Sequence, residues 1–213
     1  MCNYSRDVAI ISKHGLASEA GLLDVIEFVF TTIQQPLSTV PMIRADIRAN
    51  GLQSRFLFST KRTGLAYARD NVSSLLAEIL NVIEEHGTQS PRAALEAVDV
   101  FFKVPGLGVV KAGFVAQCLG FNVACIDSHN LERLGIPSSA VDVRKTLKRE
   151  TQRIKIGKYV ELCQREGSAT YWKDWCQYVA GNQANRELPT GEAVSAFHVH
   201  CVVDCGNDVA DVF

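Results

Sequence analysis

The chain has almost no net charge. Its 22 Lys and Arg face 23 Asp and Glu over 213 residues, which leaves −1 at pH 7 and a pI near 6.5. That balance excludes a polycation that coats nucleic acid through bulk charge, and leaves room only for a local basic face. Long apolar runs are missing too: none reaches the ~18 residues that a membrane-spanning helix requires, so no membrane partner is expected. There is no internal repeat and no low-complexity linker. No leader pattern precedes the seven cysteines (Cys2, Cys118, Cys125, Cys163, Cys176, Cys201 and Cys205), which are scattered and odd in number. Reduced thiols and a cytoplasmic location are the simplest expectation. Their spacing fits no zinc ribbon or iron–sulfur run, and the closest pair, Cys201 and Cys205, has no partners nearby. His198 and His200 would share one face of a strand but diverge on a helix, and no third ligand is evident. No metal site or cofactor is therefore expected, and a need for a free divalent ion stays open.

What the chain does have is enough apolar material for a core. At 47% hydrophobic it can build one domain or two closely packed lobes. The dominant period is helical. Ser18 is placed to cap a helix over about 19–35, where Leu22, Leu23, Ile26, Val29 and Phe30 recur at three-to-four spacing. Pro41 suits a helix start and Gly51 its end. Asp70 is expected to cap a helix that stops at Gly87. Ser90-Pro91 opens another helix that Pro105 ends, and residues 109–119 form a short apolar helix closed by Gly120. Further helices are expected near 128–134, 141–164 and 168–180. "FNVAC" is the best strand-like stretch, but five residues make no sheet alone. The expected fold is all-α, a single domain over 1–213, with a loosely ordered tail at 189–213 around Pro189 and Gly191.

One stretch carries chemistry. In "FFKVPGLGVVKAGFVAQCLG" a helix ends at Pro105, two glycines make a turn, and the next helix begins at once. Glycine allows positive φ and puts no Cβ in the way of an approaching ligand. The N–H groups of Gly106, Gly108 and Val109 would then stand at the positive end of a helix dipole, which suits a phosphate oxygen. The same turn also suits two core helices that bind nothing. Beyond the second helix comes "ACIDSHNLERLGI". Asp127 there is an N-cap by position.

Together these segments resemble the helix-hairpin-helix DNA glycosylase superfamily, which includes endonuclease III and the adenine glycosylases. The resemblance is carried by Val104-Pro105-Gly106-Leu107-Gly108, then Ile126-Asp127-Ser128-His129, then Glu132-Arg133-Leu134-Gly135. A weaker match lies at "FVFTTIQQPLSTVPMI", where Gln34 and Gln35 stand in the place of the polar residue that relatives wedge into the gap left by an extruded base. A plain polar helix end before Pro36 is the other reading of that pair. The matches run over roughly residues 22–137, about half of the chain.

The resemblance implies a two-lobed helix-hairpin-helix fold, duplex DNA as partner and a carboxylate at the cleft, here Asp127. It also has departures. Relatives that cut the strand keep a Schiff-base lysine where this chain has Val110. Lys111 is one residue on, about 100° round the helix, so lysine-dependent strand cleavage is not expected. Lys111 stays with Asp127 and His129 among the candidate catalytic residues. The cysteine cluster of endonuclease III is absent.

With Lys-Ala-Gly-Phe after the hairpin and Asp-Ser-His-Asn-Leu at the acid, the chain looks most like a phage-type branch linked to thymine hypermodification, similar to amino acid:DNA transferases and alpha-glutamyl-putrescinyl-thymidine pyrophosphorylases. That likeness implies transfer of an amino acid or other amine onto a pyrophosphate-activated 5-hydroxymethyluracil in double-stranded DNA, with the base flipped out of the stack. A monofunctional glycosylase without lyase activity and a non-catalytic DNA-binding module are the alternatives. Cations for DNA or pyrophosphate are expected in "RKTLKRETQRIKIGK" (144–158), with seven basic residues and one acid. Arg144, Lys145 and Lys148 are its candidate backbone contacts, and a solvated helix face is the plainer alternative. His129 suits a phosphate contact, a bond that orients Asp127, or a merely local one. Tyr171, Trp172 and Trp175 read as core, with stacking on a base as the lesser alternative.

Overall fold

The computed structural model describes residues 3–184. Among them there are ten α-helices and no strand: α1 (Tyr4–Ala17), α2 (Glu19–Thr32), α3 (Val40–Asn50), α4 (Ser59–Asp70), α5 (Val72–His86), α6 (Pro91–Phe102), α7 (Val109–Cys118), α8 (Ser128–Arg133), α9 (Arg149–Glu166) and α10 (Ser168–Ala184). The expected all-α character holds over these residues.

Ser18 is extended, which ends α1, and its hydroxyl accepts the Gly21 N–H at 3.1 Å, which starts α2. The two helices then pack so closely that a Cβ on Gly21 would stand 2.1 Å from the His14 carbonyl oxygen. Helix α2 is the central post. Leu22, Val25, Ile26, Val29 and Phe30 are fully buried on it, and it touches α1, α3, α4, α5 and α7. The expected helix to residue 35 stops at Thr32, where Ile33 turns extended.

Ser90 caps α6 through Ala93 N–H at 3.1 Å, with Pro91 in the first turn. Small residues on facing sides, Ala93, Ala97, Ala112 and Ala116, are fully buried and let α6 and α7 pack as a tight antiparallel pair. Tyr171, Trp172 and Trp175 are core, with Trp175 against Phe114 at 5.3 Å between ring centroids. Base stacking by these three rings finds no support.

Three expectations need correction. Asp70 is not a cap: it is the last residue of α4, and Asn71 is the single joint before α5. "FNVAC" is not a strand. Its N–H groups at Phe121, Asn122 and Val123 bond to nearby backbone carbonyls, and side chains serve its end, with Cys125 N–H donating to Gln117 Oε1 at 2.9 Å and the Tyr159 hydroxyl donating to the Ala124 carbonyl. The helix expected from 141 begins at Arg149. Residues 138–141 make one 3-10 turn, and Gln152 Nε2 holds the loop by donating to the carbonyls of Lys145 and Leu147 at 2.8 and 3.0 Å. Cys2, His198, His200, Cys201, Cys205 and the tail 189–213 lie outside the described residues. No helix among the described residues is long and apolar enough to cross a membrane.

Candidate functional site

The turn between α6 and α7 uses its glycines unequally. Gly106 has φ +82°, a left-handed conformation that L side chains resist. A Cβ there would also stand 3.0 Å from the Thr60 carbonyl oxygen, so its missing side chain makes room for α4 and not for a ligand. Gly108 is different. Its φ of −78° suits any residue, it is exposed, and a Cβ would meet nothing within 4 Å. The first bond of α7 runs from Ala112 N–H to Gly108 O at 2.9 Å, so the N–H groups of Val109, Val110 and Lys111 have no partner within the helix. Val109 buries its side chain while its N–H belongs to that open first turn.

Helix α4 connects this turn to the other candidate corner. Pro105 O fits into the space left by Gly64, and Thr60 lies against Gly106. One residue on, Lys61 is 2% exposed and donates through Nζ to the Ile33 carbonyl at 2.7 Å. That bond pins the end of α2, just where Gln34 takes φ +55°. Gln34 is the one non-glycine residue of positive φ among the described residues, and it is exposed; Gln35 is half-buried. A left-handed glutamine costs roughly 1–2 kcal/mol, and the Lys61 bond to its neighbour is what holds it. So Gly106 packs directly on the first turn of α4, and Ile33, the neighbour of Gln34, is bonded to the same turn, in a segment that sequence reasoning did not assign to a helix.

On the other side of the turn, Lys111 Nζ lies 4.0 Å from Cys125 Sγ and 5.4 Å from the centre of the Phe114 ring. Cys125 is flanked by two opposite charges. Burial pushes its thiol up to about 11, Lys111 pulls it down and Asp127 raises it again. Burial thus favours the neutral thiol of Cys125 over the thiolate. Asp127 is half-buried at the entry to α8, where Oδ1 accepts the Asn130 N–H at 3.1 Å. Asn130 in turn donates through Nδ2 to Cys125 O at 3.2 Å, which locks the cap to the end of the extended stretch. Among the described residues no donor meets Asp127 Oδ2 and no cation pairs with it.

His129 does not orient Asp127. Its ring stacks on Tyr178 with centroids 3.7 Å apart, and both side chains are exposed. The basic stretch is largely committed elsewhere. Arg149 and Arg153 both pair with the buried Asp99 of α6, and Arg153 adds Glu96 at 2.6 Å. The Lys145 ammonium donates to Val104 O and lies 5.2 Å from the Phe102 ring centre, and local burial lowers its pKa to about 8 although the residue as a whole is exposed. Arg144 pairs with Asp142 at 3.3 Å, and Lys148 is exposed at the start of α9. Among the described residues no three His, Cys, Asp or Glu gather as metal ligands.

Lys61 is the site residue that sequence reasoning missed. The signal was present as buried spacing at Lys61, Gly64, Leu65 and Ala68, one face of a helix. In comparison with known proteins, no family model, no curated protein and no solved structure matches the chain.

Proposed function

We propose that the chain binds duplex DNA through the α6–α7 turn and transfers an amine onto an activated, flipped-out thymine derivative. The observation that carries this reading is Asp127. One of its oxygens holds the α8 cap while the other is open, and it shares the Cys125 thiol with Lys111 of the hairpin's second helix.

The exposed first turn of α7 offers backbone N–H groups to a phosphate, and phosphate contacts position a protein on DNA without reading sequence. The exposed, left-handed Gln34, next to the Ile33 carbonyl that Lys61 of α4 holds, supports a polar wedge into the gap left by the extruded base. In the transfer, an amine arrives as its ammonium and gives one proton to Asp127. The freed nitrogen lone pair attacks the 5-methylene carbon. The C–O bond to pyrophosphate breaks with its electron pair on the departing oxygen, and the new C–N ammonium loses its second proton to water. An open carboxylate within a protein wall suits the first of these steps.

Nucleoside mass spectrometry tests the reading. The full chain is incubated with duplex DNA carrying 5-hydroxymethyluracil pyrophosphate and a pool of amino acids. A mass gain on the base is expected. Abasic sites would instead assign a glycosylase, and unchanged DNA would reduce Asp127 to a cap in a binding module.

A further inference from the structure

Helix α8, which Asp127 opens, cannot hold itself in place. Of its six residues only Asn130 and Leu131 are buried, and helices this short are marginal in water without tertiary contacts. We propose that Tyr178 is a positioning residue for Asp127: together with Asp174 it clamps α8 onto α10, and so fixes where the carboxylate stands. The chemical task of Asp127 rests on the transfer proposed above, whereas the clamp rests on contacts within the chain.

Two contacts in one register make the clamp. The His129 ring lies on the Tyr178 ring with centroids 3.7 Å apart and planes 27° apart. One turn further along α8, Arg133 Nη2 is 2.5 Å from Asp174 Oδ2, an ion pair and not an aligned hydrogen bond. His129 and Arg133 are four residues apart on α8, and Asp174 and Tyr178 are four apart on α10, so each helix presents one face. The order reverses between the helices, as it does in an antiparallel pair. An incidental surface stack would carry no second contact in register. Arg133 also reaches Glu166 Oε2, at the end of α9, at 3.6 Å. Because Arg133 is exposed, its ion pairs hold little by themselves, and the ring stack is the stronger half of the clamp.

Helix α10 is itself firmly seated. Tyr171, Trp172, Trp175 and Cys176 are buried, and Trp175 packs on Phe114 of α7. Tyr178 is three residues beyond Trp175, just under one turn. Contacts therefore run without a break from the second helix of the hairpin, through Phe114, Trp175 and Tyr178, to His129 in the first turn of α8. His129 makes no bond to Asp127; what its stack fixes is the helix turn. The carboxylate is tied to that turn by the Asn130 N–H, and Asn130 is tied to Cys125 O. Releasing His129 thus loosens the turn that Asp127 caps.

Hydrogen exchange and NMR on the full chain test the clamp without any substrate. The Asn130 N–H, held by Asp127 Oδ1, is the probe, and the Ala112 N–H, held by Gly108 O in α7, is the control. Tyr178→Ala, at an exposed position, should speed exchange at Asn130 by about tenfold or more and leave Ala112 unchanged. It should also abolish the ring-current shift of the His129 protons. Tyr178→Phe keeps the ring and should match wild type in all three signals. Unchanged Asn130 exchange in Tyr178→Ala overturns the clamp, and so does equal acceleration at Ala112, which would report a general loss of fold. A Tyr178→Phe protein that behaves like Tyr178→Ala would assign the effect to the hydroxyl and overturn the stack. With duplex carrying 5-hydroxymethyluracil pyrophosphate, Tyr178→Ala should slow single-turnover transfer by about tenfold or more at unchanged duplex affinity, and Tyr178→Phe should restore the rate. Full-rate transfer by a Tyr178→Ala protein with a loosened Asn130 would overturn the positioning role. A clamp seen by exchange, with no mass gain on the base in wild type, would leave the clamp standing and remove the transferase.

Discussion

The carbonyl oxygen of Pro105 stands 2.3 Å from where a Cβ on Gly64 would be, and the same point is 2.3 Å from Phe30 Cζ. Helix α4 therefore reaches the hairpin turn only because residue 64 has no side chain. Through that close approach α4 is seated against the turn and against Phe30 of α2, and Lys61 on it reaches the Ile33 carbonyl. Gly106 repeats the requirement from the other side, against Thr60.

Glycine substitutions should thus divide into two kinds. Gly64→Ala is expected to lower stability by about 1–3 kcal/mol through overpacking, and Gly106→Ala to lose stability through its positive φ and the Thr60 contact. Gly108→Ala should melt with wild type, since its φ suits alanine and its surroundings are open. It should nevertheless weaken duplex binding by a similar factor on unrelated sequences, because the added methyl stands before the N–H groups of the α7 start. Denaturation and gel-shift measurements check this, and wild-type affinity in a stable Gly108→Ala protein would remove the hairpin from the DNA interface.

Arg153 ties α9 to α6 through Asp99 and Glu96. Arg153→Met should cost roughly 1–3 kcal/mol, less than the 3–5 of a fully buried pair because Arg153 is partly exposed and Arg149 still meets Asp99. Its effect on DNA should be nil: the slope of log affinity against log salt is expected to stay at the wild-type value. Lys148→Met, at an exposed cation, should reduce that slope by about one if it contacts a phosphate. Salt titrations of both variants decide whether 144–158 is architecture or interface.

The helices that read clearly from the sequence are those with an apolar stripe and a recognisable cap: Ser18 before α2, Ser90-Pro91 before α6, Gly108 before α7. Helix α4 was illegible because its buried face is built of Lys61, Gly64, Leu65 and Ala68, so two of its four core positions look polar or helix-breaking. With α4 unassigned, Asp70 looked like a cap and Lys61 was not singled out at all. The "FNVAC" stretch misled for a different reason: β-like composition fits any extended chain, and here Gln117 and Tyr159 supply from helices the hydrogen bonds that a neighbouring strand would have supplied. Asp127 and the turn were singled out by the motif resemblance, since each alone reads as a plain cap and a plain turn. That Lys61 ties Ile33, beside Gln34, to the helix that packs on the turn is a tertiary fact with no local signal.

Lys145 should behave as an unusual amine. Its pKa is lowered to about 8 by burial against Val104 and Phe102, whereas the unfolded chain returns it to the ordinary value of about 10.4. Between those two values the unfolded chain binds the extra proton, so this group makes the folded state more favourable as pH rises through the window. Wild type should therefore gain stability relative to Lys145→Met from pH 8 upward, by less than the shift alone implies because the residue is largely exposed. Competitive amine labelling read by peptide mass spectrometry should place the Lys145 midpoint near 8. A midpoint above 10 would show the ammonium free in water and detached from Val104.

Asp127 allows the sharpest separation of roles, because its cap and its proposed chemistry use different oxygens. Oδ1 accepts the Asn130 N–H, and Oδ2 is open. Asp127→Asn keeps an oxygen for the cap, and asparagine caps about as well as aspartate, so the melting temperature should hold. Asp127→Ala removes the cap and should cost about 1 kcal/mol. On the proposed reaction both variants lose the base that receives the amine proton, and both should fall by about two or more powers of ten in rate. Duplex affinity should stay near wild type in each, since the hairpin turn is untouched. The comparison distinguishes the cases by rank order. A structural Asp127 predicts Asn close to wild type and Ala impaired only as far as it unfolds; a catalytic Asp127 predicts Asn as inactive as Ala while far more stable. Single-turnover transfer measured below the melting transition of all three proteins reads that order directly, and a fully active Asp127→Asn chain would end the case for Asp127 as the base.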